Sequence, residues 1–108
     1  MEWSIKFLNK KVKAEFLSLP DDIRARFYNF EDLLKQVGIE KLGPKRVKHL
    51  RGKLWEIRMT GRDGIGRVIY VTASGRRMVV LHAFMKKTQK TPASAIALAE
   101  QRAREMDQ

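Results

Sequence analysis

Residues 54–85, LWEIRMTGRDGIGRVIYVTASGRRMVVLHAFM, decide the fold of this chain. Three apolar runs follow one another here, at residues 54–60, 67–73 and 77–85. In the first run every second residue is apolar, and Glu56 and Arg58 occupy the other positions, which is the period of a strand with two unlike faces. Glycine-rich turns, GRDGIG and Ser74-Gly75, separate the runs. The pattern predicts three strands joined by hairpins, an antiparallel meander.

Upstream of the meander the apolar spacing becomes helical. WSIKF (3–7) alternates like a short strand, and Asn9 can cap a helix that is broken at Leu19-Pro20. The strongest helical period in the chain follows and ends at Gly38, with apolar residues Ile23, Phe27, Phe30, Leu34 and Val37. Residues 39–53 contain many cations and predict a basic connection to the meander.

The last helix is predicted to begin at Thr91-Pro92, with threonine as the N-cap and proline at the first helical position. Its apolar stripe is narrow and rich in alanine, which indicates a peripheral helix. The predicted fold is α+β, one domain over residues 1–108, in the order β-α-α-β-β-β-α. The first strand is expected to pair at the edge of the meander, and the helical hairpin to cover one face of the sheet.

Positive charge is concentrated in the middle of the chain. The net charge is +11, and residues 40–90 hold 14 Lys or Arg against three acidic residues, Glu40, Glu56 and Asp63. The flanking segments are nearly neutral. A field of one sign attracts polyanions, either nucleic acid or an acidic protein segment. A merely solubilising surface would mix both signs.

Composition also excludes several kinds of site. The chain has no cysteine and only two histidines, which excludes disulfides and disfavours a zinc site. No apolar segment is long enough for a signal peptide or a membrane span. We therefore expect a cytoplasmic protein without metal or cofactor.

The meander can bring several cations together. Its hairpins place Arg58 and Arg67 near Lys86 or Lys87 at the end of the third strand. Strict alternation puts Val80, His82, Phe84 and Lys86 on one face and Leu81, Ala83, Met85 and Lys87 on the other. Unless a bulge at the strand end turns both lysines the same way, only the lysine on the face of Arg58 and Arg67 can be catalytic.

Such a cluster suits metal-free cleavage of RNA, whose 2′-hydroxyl supplies the nucleophile. Cations stabilise the charge that develops on the phosphate, and a lysine or histidine can act as base or acid. His82 has two interpretations, a general base or a hydrogen-bonded structural histidine. Glu56 could simply pair with a neighbouring arginine, and the two lysines could be solvated charges at a strand end.

LWEIRM, RVIYV and VVLHAFMKKTQKTP, followed by a helix containing IALAEQRAREM, closely resemble the phage-derived HigB-like branch of the RelE/ParE toxin superfamily. The resemblance covers roughly residues 47–106. It implies a RelE-like fold, the toxin of a type II toxin–antitoxin pair, and metal-independent cleavage of mRNA on the ribosome. It also implies a cognate antitoxin, expected to be a helix-turn-helix protein.

The resemblance assigns catalytic positions to Arg58, Arg67, Lys86 and Lys87, and we add His82 as a candidate. Contacts with mRNA and ribosomal RNA are expected from the basic residues Lys45, Arg46, Lys48, His49, Arg51, Lys53 and Lys90. Some relatives carry a tyrosine near the C-terminus, whereas the tyrosines here are Tyr28 and Tyr70. Two alternatives remain: a ParE-like inhibitor of DNA gyrase, and an RNA-binding relative without catalysis.

Overall fold

The computed structural model describes residues 2–43 and 46–106. The elements follow in the order β1 (Ser4–Phe7), α1 (Lys10–Leu17), α2 (Asp21–Val37), a 3-10 turn (Ile39–Lys41), β2 (Val47–Arg51), β3 (Leu54–Gly61), β4 (Gly64–Ala73), β5 (Arg77–Lys86) and α3 (Ala93–Glu105). The predicted α+β architecture with a helical hairpin, a meander and a C-terminal helix is confirmed. Within the described ranges no helix is long and apolar enough to cross a membrane.

The five strands form one sheet in the order β1-β5-β4-β3-β2. The first strand does pair at the edge of the meander, in parallel with β5. The β3–β4 hairpin is tighter than predicted, because Gly61 pairs with Gly64 and only Arg62 and Asp63 remain in the turn.

The basic connection over residues 39–53 was predicted wrongly, because it contains β2. This strand pairs antiparallel with β3, placing His49 opposite Trp55. Its charged residues hide the alternation, and only Val47 and Leu50 are partly buried. An irregularity between His49 and Arg51 also interrupts the two-residue period on which strand prediction depends.

Helices α1 and α2 cover one face of the sheet, called here the hairpin face. Asn9 caps α1 as predicted, since its side chain accepts a hydrogen bond from the Val12 amide at 2.9 Å. Phe16 packs on Phe27 with ring centroids 4.8 Å apart. The apolar stripe of α2 is buried, except for Val37 at its end. These contacts form the larger core cluster.

The opposite face, called here the α3 face, is covered by the C-terminal helix. Ala95 and Ala99 pack with Leu54, Ile69 and Leu81 in a second core cluster. Alanine has no bulk beyond Cβ, so α3 can lie close to the sheet. The predicted threonine cap is wrong, because Pro92 occupies the N-cap position and no side chain caps the helix.

Strict alternation along β5 is also wrong. The pairing with β4 shifts, because Ile69 lies opposite His82 whereas Tyr70 lies opposite Val80, which leaves Leu81 as an extra residue. Val80 therefore packs in the core of the hairpin face, together with Ala83, and Leu81 packs under α3. A bulge of this kind reverses the face of every residue on one side of it.

Gly66 marks the closest approach of α2 to the sheet, and its replacement by alanine should be costly. A Cβ on Gly66 would overlap the side chain of the fully buried Ile23. We expect Gly66→Ala to lower the free energy of unfolding by about 1–3 kcal/mol through overpacking, measured by urea denaturation. In an Ile23→Ala background the same change should cost less; an equal cost in both backgrounds would refute the steric explanation.

Candidate functional site

Arg58 and Arg67 are direct neighbours on the α3 face. They lie opposite each other in the β3–β4 register, and Glu56 lies two residues earlier on β3. Thr91, immediately before α3, completes a group that we call the Glu56 network: Glu56, Arg58, Arg67 and Thr91. The β3–β4 register therefore brings the two arginines together, as predicted.

Glu56 is the buried centre of this network. Its side chain has no exposed surface, and its Oε1 accepts a hydrogen bond from Arg58 Nε at 2.6 Å. The other oxygen accepts one from the Thr91 hydroxyl at 2.8 Å. Arg67 Nη1 lies 3.6 Å from Oε1. One buried carboxylate therefore compensates two guanidinium groups.

Arg67 is a buried cation that holds the chain preceding α3. It has no exposed surface, donates to the Thr88 carbonyl, and donates to Thr91 Oγ1 at 3.1 Å. Its Nε has no hydrogen-bond partner, which costs about 1–3 kcal/mol for a desolvated donor. Burial lowers the pKa of Arg67; the Glu56 carboxylate opposes this shift and the Arg58 charge adds to it.

Arg58 is the member of the network that reaches solvent. Its side chain is 23% exposed, and its Nη2 donates to the Gln89 carbonyl at 2.7 Å. Nη1 makes no hydrogen bond with any described atom. This N–H group can therefore donate to a molecule arriving from solvent.

The segment Lys87–Thr91, KTQKT, is tied to the sheet by the two arginines through Thr88, Gln89 and Thr91. The exposed Lys86 lies just before it, opposite Ile65, on the same face as Arg58 and Arg67. Lys87 follows the strand, with its Cγ 3.5 Å from the position a Cβ would take on Gly64. Lys90 is exposed within the segment.

His82 belongs to a different cluster. Its Nδ1 lies 2.8 Å from Glu15 Oε1, and its ring stacks on Phe84 with centroids 4.7 Å apart. Arg102 of α3 binds both oxygens of Glu15 and the Leu81 carbonyl. Burial alone would raise the pKa of Glu15, but hydrogen bonds from Arg102 and His82 lower it below its usual value. The structural interpretation of His82 is the one its contacts favour.

The predicted RNA-binding residues divide between two faces. Lys48 lies opposite Glu56 in the β2–β3 register, whereas His49 lies opposite Trp55, on the hairpin face. Arg51 is occupied by an ion pair with Glu100 at 2.5 Å. Arg46 and Lys53 are exposed. Lys45 lies outside the described residues.

Three participants were not found from the sequence. Thr91 was assigned to a helix cap, although its hydroxyl serves the Glu56 network. Glu15 and Arg102 are 87 positions apart, and no local pattern connects them. The pairing of Glu56 with a neighbouring arginine, by contrast, was one of the interpretations drawn from the sequence, and the structure shows it.

Residues 14–104 match the family described as phage-derived protein Gp49-like. A comparison with curated protein sequences gave no match. Among solved structures, a free double mutant of the E. coli toxin RelE is similar, with a TM-score of 0.65, 15% identity, and coverage of 94% of this chain and 98% of that chain.

A second similar structure is the archaeal RelE–RelB complex from Pyrococcus horikoshii OT3. Its TM-score is 0.56 at 26% identity, and the match covers 83% of this chain and 100% of that chain. The family match spans most of the sequence, and both structures share the sheet and helix arrangement. The chain therefore belongs to the phage-derived Gp49-like family and has the fold of the RelE toxins.

Proposed function

We propose that this protein is the toxin of a type II toxin–antitoxin pair and cleaves messenger RNA on the ribosome. The observation that carries the proposal is the partly exposed guanidinium of Arg58, on the same face of the sheet as Lys86 and Lys48. Glu56, on the same face, is already compensated by two arginines. An incoming phosphate would therefore meet uncompensated positive charge.

In the proposed reaction the ribose 2′-oxygen forms a bond to the adjacent phosphorus, and the bond from phosphorus to the 5′-oxygen breaks. A base takes the proton of the 2′-hydroxyl, and an acid gives a proton to the departing 5′-oxygen. The products are a 2′,3′-cyclic phosphate and a 5′-hydroxyl. Arg58 and Lys86 stabilise the charge that develops on the phosphoryl oxygens.

The acid and base are best sought among the exposed amines. Both oxygens of Glu56 are engaged and inaccessible, and His82 is engaged by Glu15. Lys86, on the face of Arg58, is exposed and pairs with no carboxylate of the described residues. Its ammonium group can donate the proton to the departing 5′-oxygen.

The proposed partner is a cognate antitoxin, a helix-turn-helix protein that neutralises the toxin by covering the basic face. The similar archaeal protein was solved in complex with RelB, which supports a protein partner for this fold. The proposed location is the cytoplasm, where the ribosomes and the message are found. The HigB-like branch is the proposed place of the chain within the superfamily.

Mapping of mRNA ends after induction in a bacterium tests the function. We expect new 5′ ends that require translation. Lys86→Gln should slow cleavage roughly 10- to 100-fold, as expected for loss of one partly screened charge, whereas Lys87→Gln should stay within about twofold. The two variants carry the same charge change at adjacent positions, so they control for non-specific affinity.

The alternatives give other outcomes. Growth arrest with supercoiling defects and without new mRNA ends would replace the proposal with gyrase inhibition. Salt-dependent RNA binding without cleavage, on or off the ribosome, would indicate a non-catalytic relative. If Lys87→Gln slowed cleavage more than Lys86→Gln, the proposed activity would be kept. The assignment of Lys86 would be contradicted.

A further inference from the structure

Trp55 is a large apolar side chain that the helices leave uncovered. It lies on the hairpin face, in one row between His49 of β2 and Tyr70 of β4. The next residue of β3 on this face, Ile57, is only 1% exposed, whereas Trp55 is 37% exposed. The indole therefore lies at the edge of the area of the sheet that α1 and α2 cover.

A groove of about 620 Å³ lies over this indole, lined among others by Ile39, Val47, His49, Trp55 and Tyr70. The volume is within the range of small-molecule sites, about 300–1,000 Å³. Glu40 is the one carboxylate among its lining residues. The groove can hold a flat ring with its attached sugar.

The aromatic wall of the groove is held in place before anything binds. The His49 ring meets Trp55 edge-on, at 5.0 Å between centroids and 61° between planes. His49 Nε2 is in turn 2.8 Å from the Gly52 carbonyl, in the turn between β2 and β3. A side chain fixed in this way loses little conformational entropy when a ligand stacks on it.

Uncompensated cations border the aromatic wall. Arg26 and Arg46 line a neighbouring groove of about 640 Å³, together with Ile57 and with Arg58 of the Glu56 network. Ile57 and Trp55 are two residues apart on one face of β3, a separation of about 7 Å. Among the described residues, neither Arg26 nor Arg46 forms an ion pair with a carboxylate. Negative charge next to the stacked ring would thus be stabilised.

We propose that this groove binds an unpaired RNA base, stacked on Trp55, with the neighbouring phosphates on Arg26 and Arg46. The proposal deepens the proposed function, since it takes RNA as the partner. It adds a stacking position at Trp55 on the hairpin face, outside the Glu56 network. An aromatic ring beside cations suits a single strand, because every base has a face that can stack and every nucleotide carries a phosphate.

Fluorescence of Trp55 provides a direct test. The chain has two tryptophans, so Trp3→Phe leaves Trp55 as the only one. This variant is titrated with a short single-stranded 2′-O-methyl RNA, which lacks the nucleophilic hydroxyl and cannot be cleaved. We expect saturable quenching of the indole emission. A fully paired duplex of the same sequence should bind through its phosphates without quenching.

Substitution gives the second readout, measured as the affinity for the same single strand. Trp55→Ala should weaken binding by about 5- to 150-fold, the equivalent of about 1–3 kcal/mol for one stacked base. Trp55→Phe should retain much of the affinity and keeps the test valid if the alanine variant fails to fold. Arg46→Gln should reduce the salt dependence of binding by about one phosphate contact.

Two titrations distinguish ribosomal RNA from messenger RNA as the source of the stacked base. If Trp55→Ala binds ribosomes stripped of message more weakly, the stacked base belongs to ribosomal RNA. If Trp55→Ala binds only the free strand more weakly, and the ribosomes as before, the base belongs to the message. A bound strand with unchanged Trp55 emission and unchanged affinity in Trp55→Ala overturns the proposal and leaves the groove to a protein segment. Cleavage that depends on Lys86 would still stand, so the two failures are distinguishable.

Discussion

Replacing Glu56 with glutamine is expected to lower the free energy of unfolding by about 3–5 kcal/mol, the cost of breaking a buried ion pair from one side. The glutamine keeps the size of the side chain and removes its charge. Arg58 and Arg67 would then repel each other without a carboxylate between them, and Arg67 cannot move into water because it is fully buried. The loss would appear as a lower midpoint in urea denaturation.

The same substitution at Glu100 is the matched control. Glu100→Gln also breaks an arginine–glutamate pair, but Arg51 and Glu100 have side chains that are 60% and 36% exposed. An exposed pair contributes about 0–1 kcal/mol. If both variants lost the same free energy, the compensation of Arg58 and Arg67 by the buried Glu56 would be disproved as the source of stability.

The Glu56 network also determines the order of the Lys87–Thr91 segment, and this gives a second readout. The segment is held through Thr91 and through the carbonyls of Thr88 and Gln89. In Glu56→Gln we expect faster tryptic cleavage after Lys87 and Lys90 under native conditions. Trypsin should cleave Glu100→Gln at the rate of the unchanged protein, because the Arg51–Glu100 pair does not contact the Lys87–Thr91 segment.

The meander and the helical hairpin could be predicted because their signals are local. The alternation in β3 and the helical spacing from Ile23 to Leu34 each depend on neighbours within one element. Strand β2 was missed because its charged residues and its irregular pairing carry no period. The bulge at Leu81 was missed because β5 is apolar on both faces, so a shift of one residue leaves the sequence pattern unchanged.

The position of the candidate site could be predicted from the sequence, but the burial of its side chains could not. The hairpin register alone brings Arg58 to Arg67, which is why topology sufficed to pair them. Whether each guanidinium is exposed depends on the Lys87–Thr91 segment, which returns over the sheet from a distant part of the chain. Sequence reasoning treated the two arginines alike, and the structure makes one buried and one accessible.

Arg58→Gln is expected to slow mRNA cleavage by about 10²–10³-fold at saturating substrate, the loss typical for removing one donor that stabilises transition-state charge. Arg62→Gln is the matched control. It removes the same charge from the same hairpin, at a side chain that is 82% exposed in the turn. Both variants should lose similar non-specific affinity for a 2′-O-methyl strand, and Arg58→Gln alone should lose the chemical step.

A structural explanation of that loss must be excluded, because Arg58 also donates to Glu56 and to the Gln89 carbonyl. Arg58→Lys keeps the positive charge and loses the paired N–H groups of the guanidinium. Partial rescue of the cleavage rate in this variant would indicate that the charge contributes to catalysis. Rates are compared at a temperature where circular dichroism shows all variants folded. Equal rates for Arg58→Gln and Arg62→Gln would refute the catalytic role of Arg58. For Arg67, which is fully buried and donates to Thr88 and Thr91, we propose a positioning role.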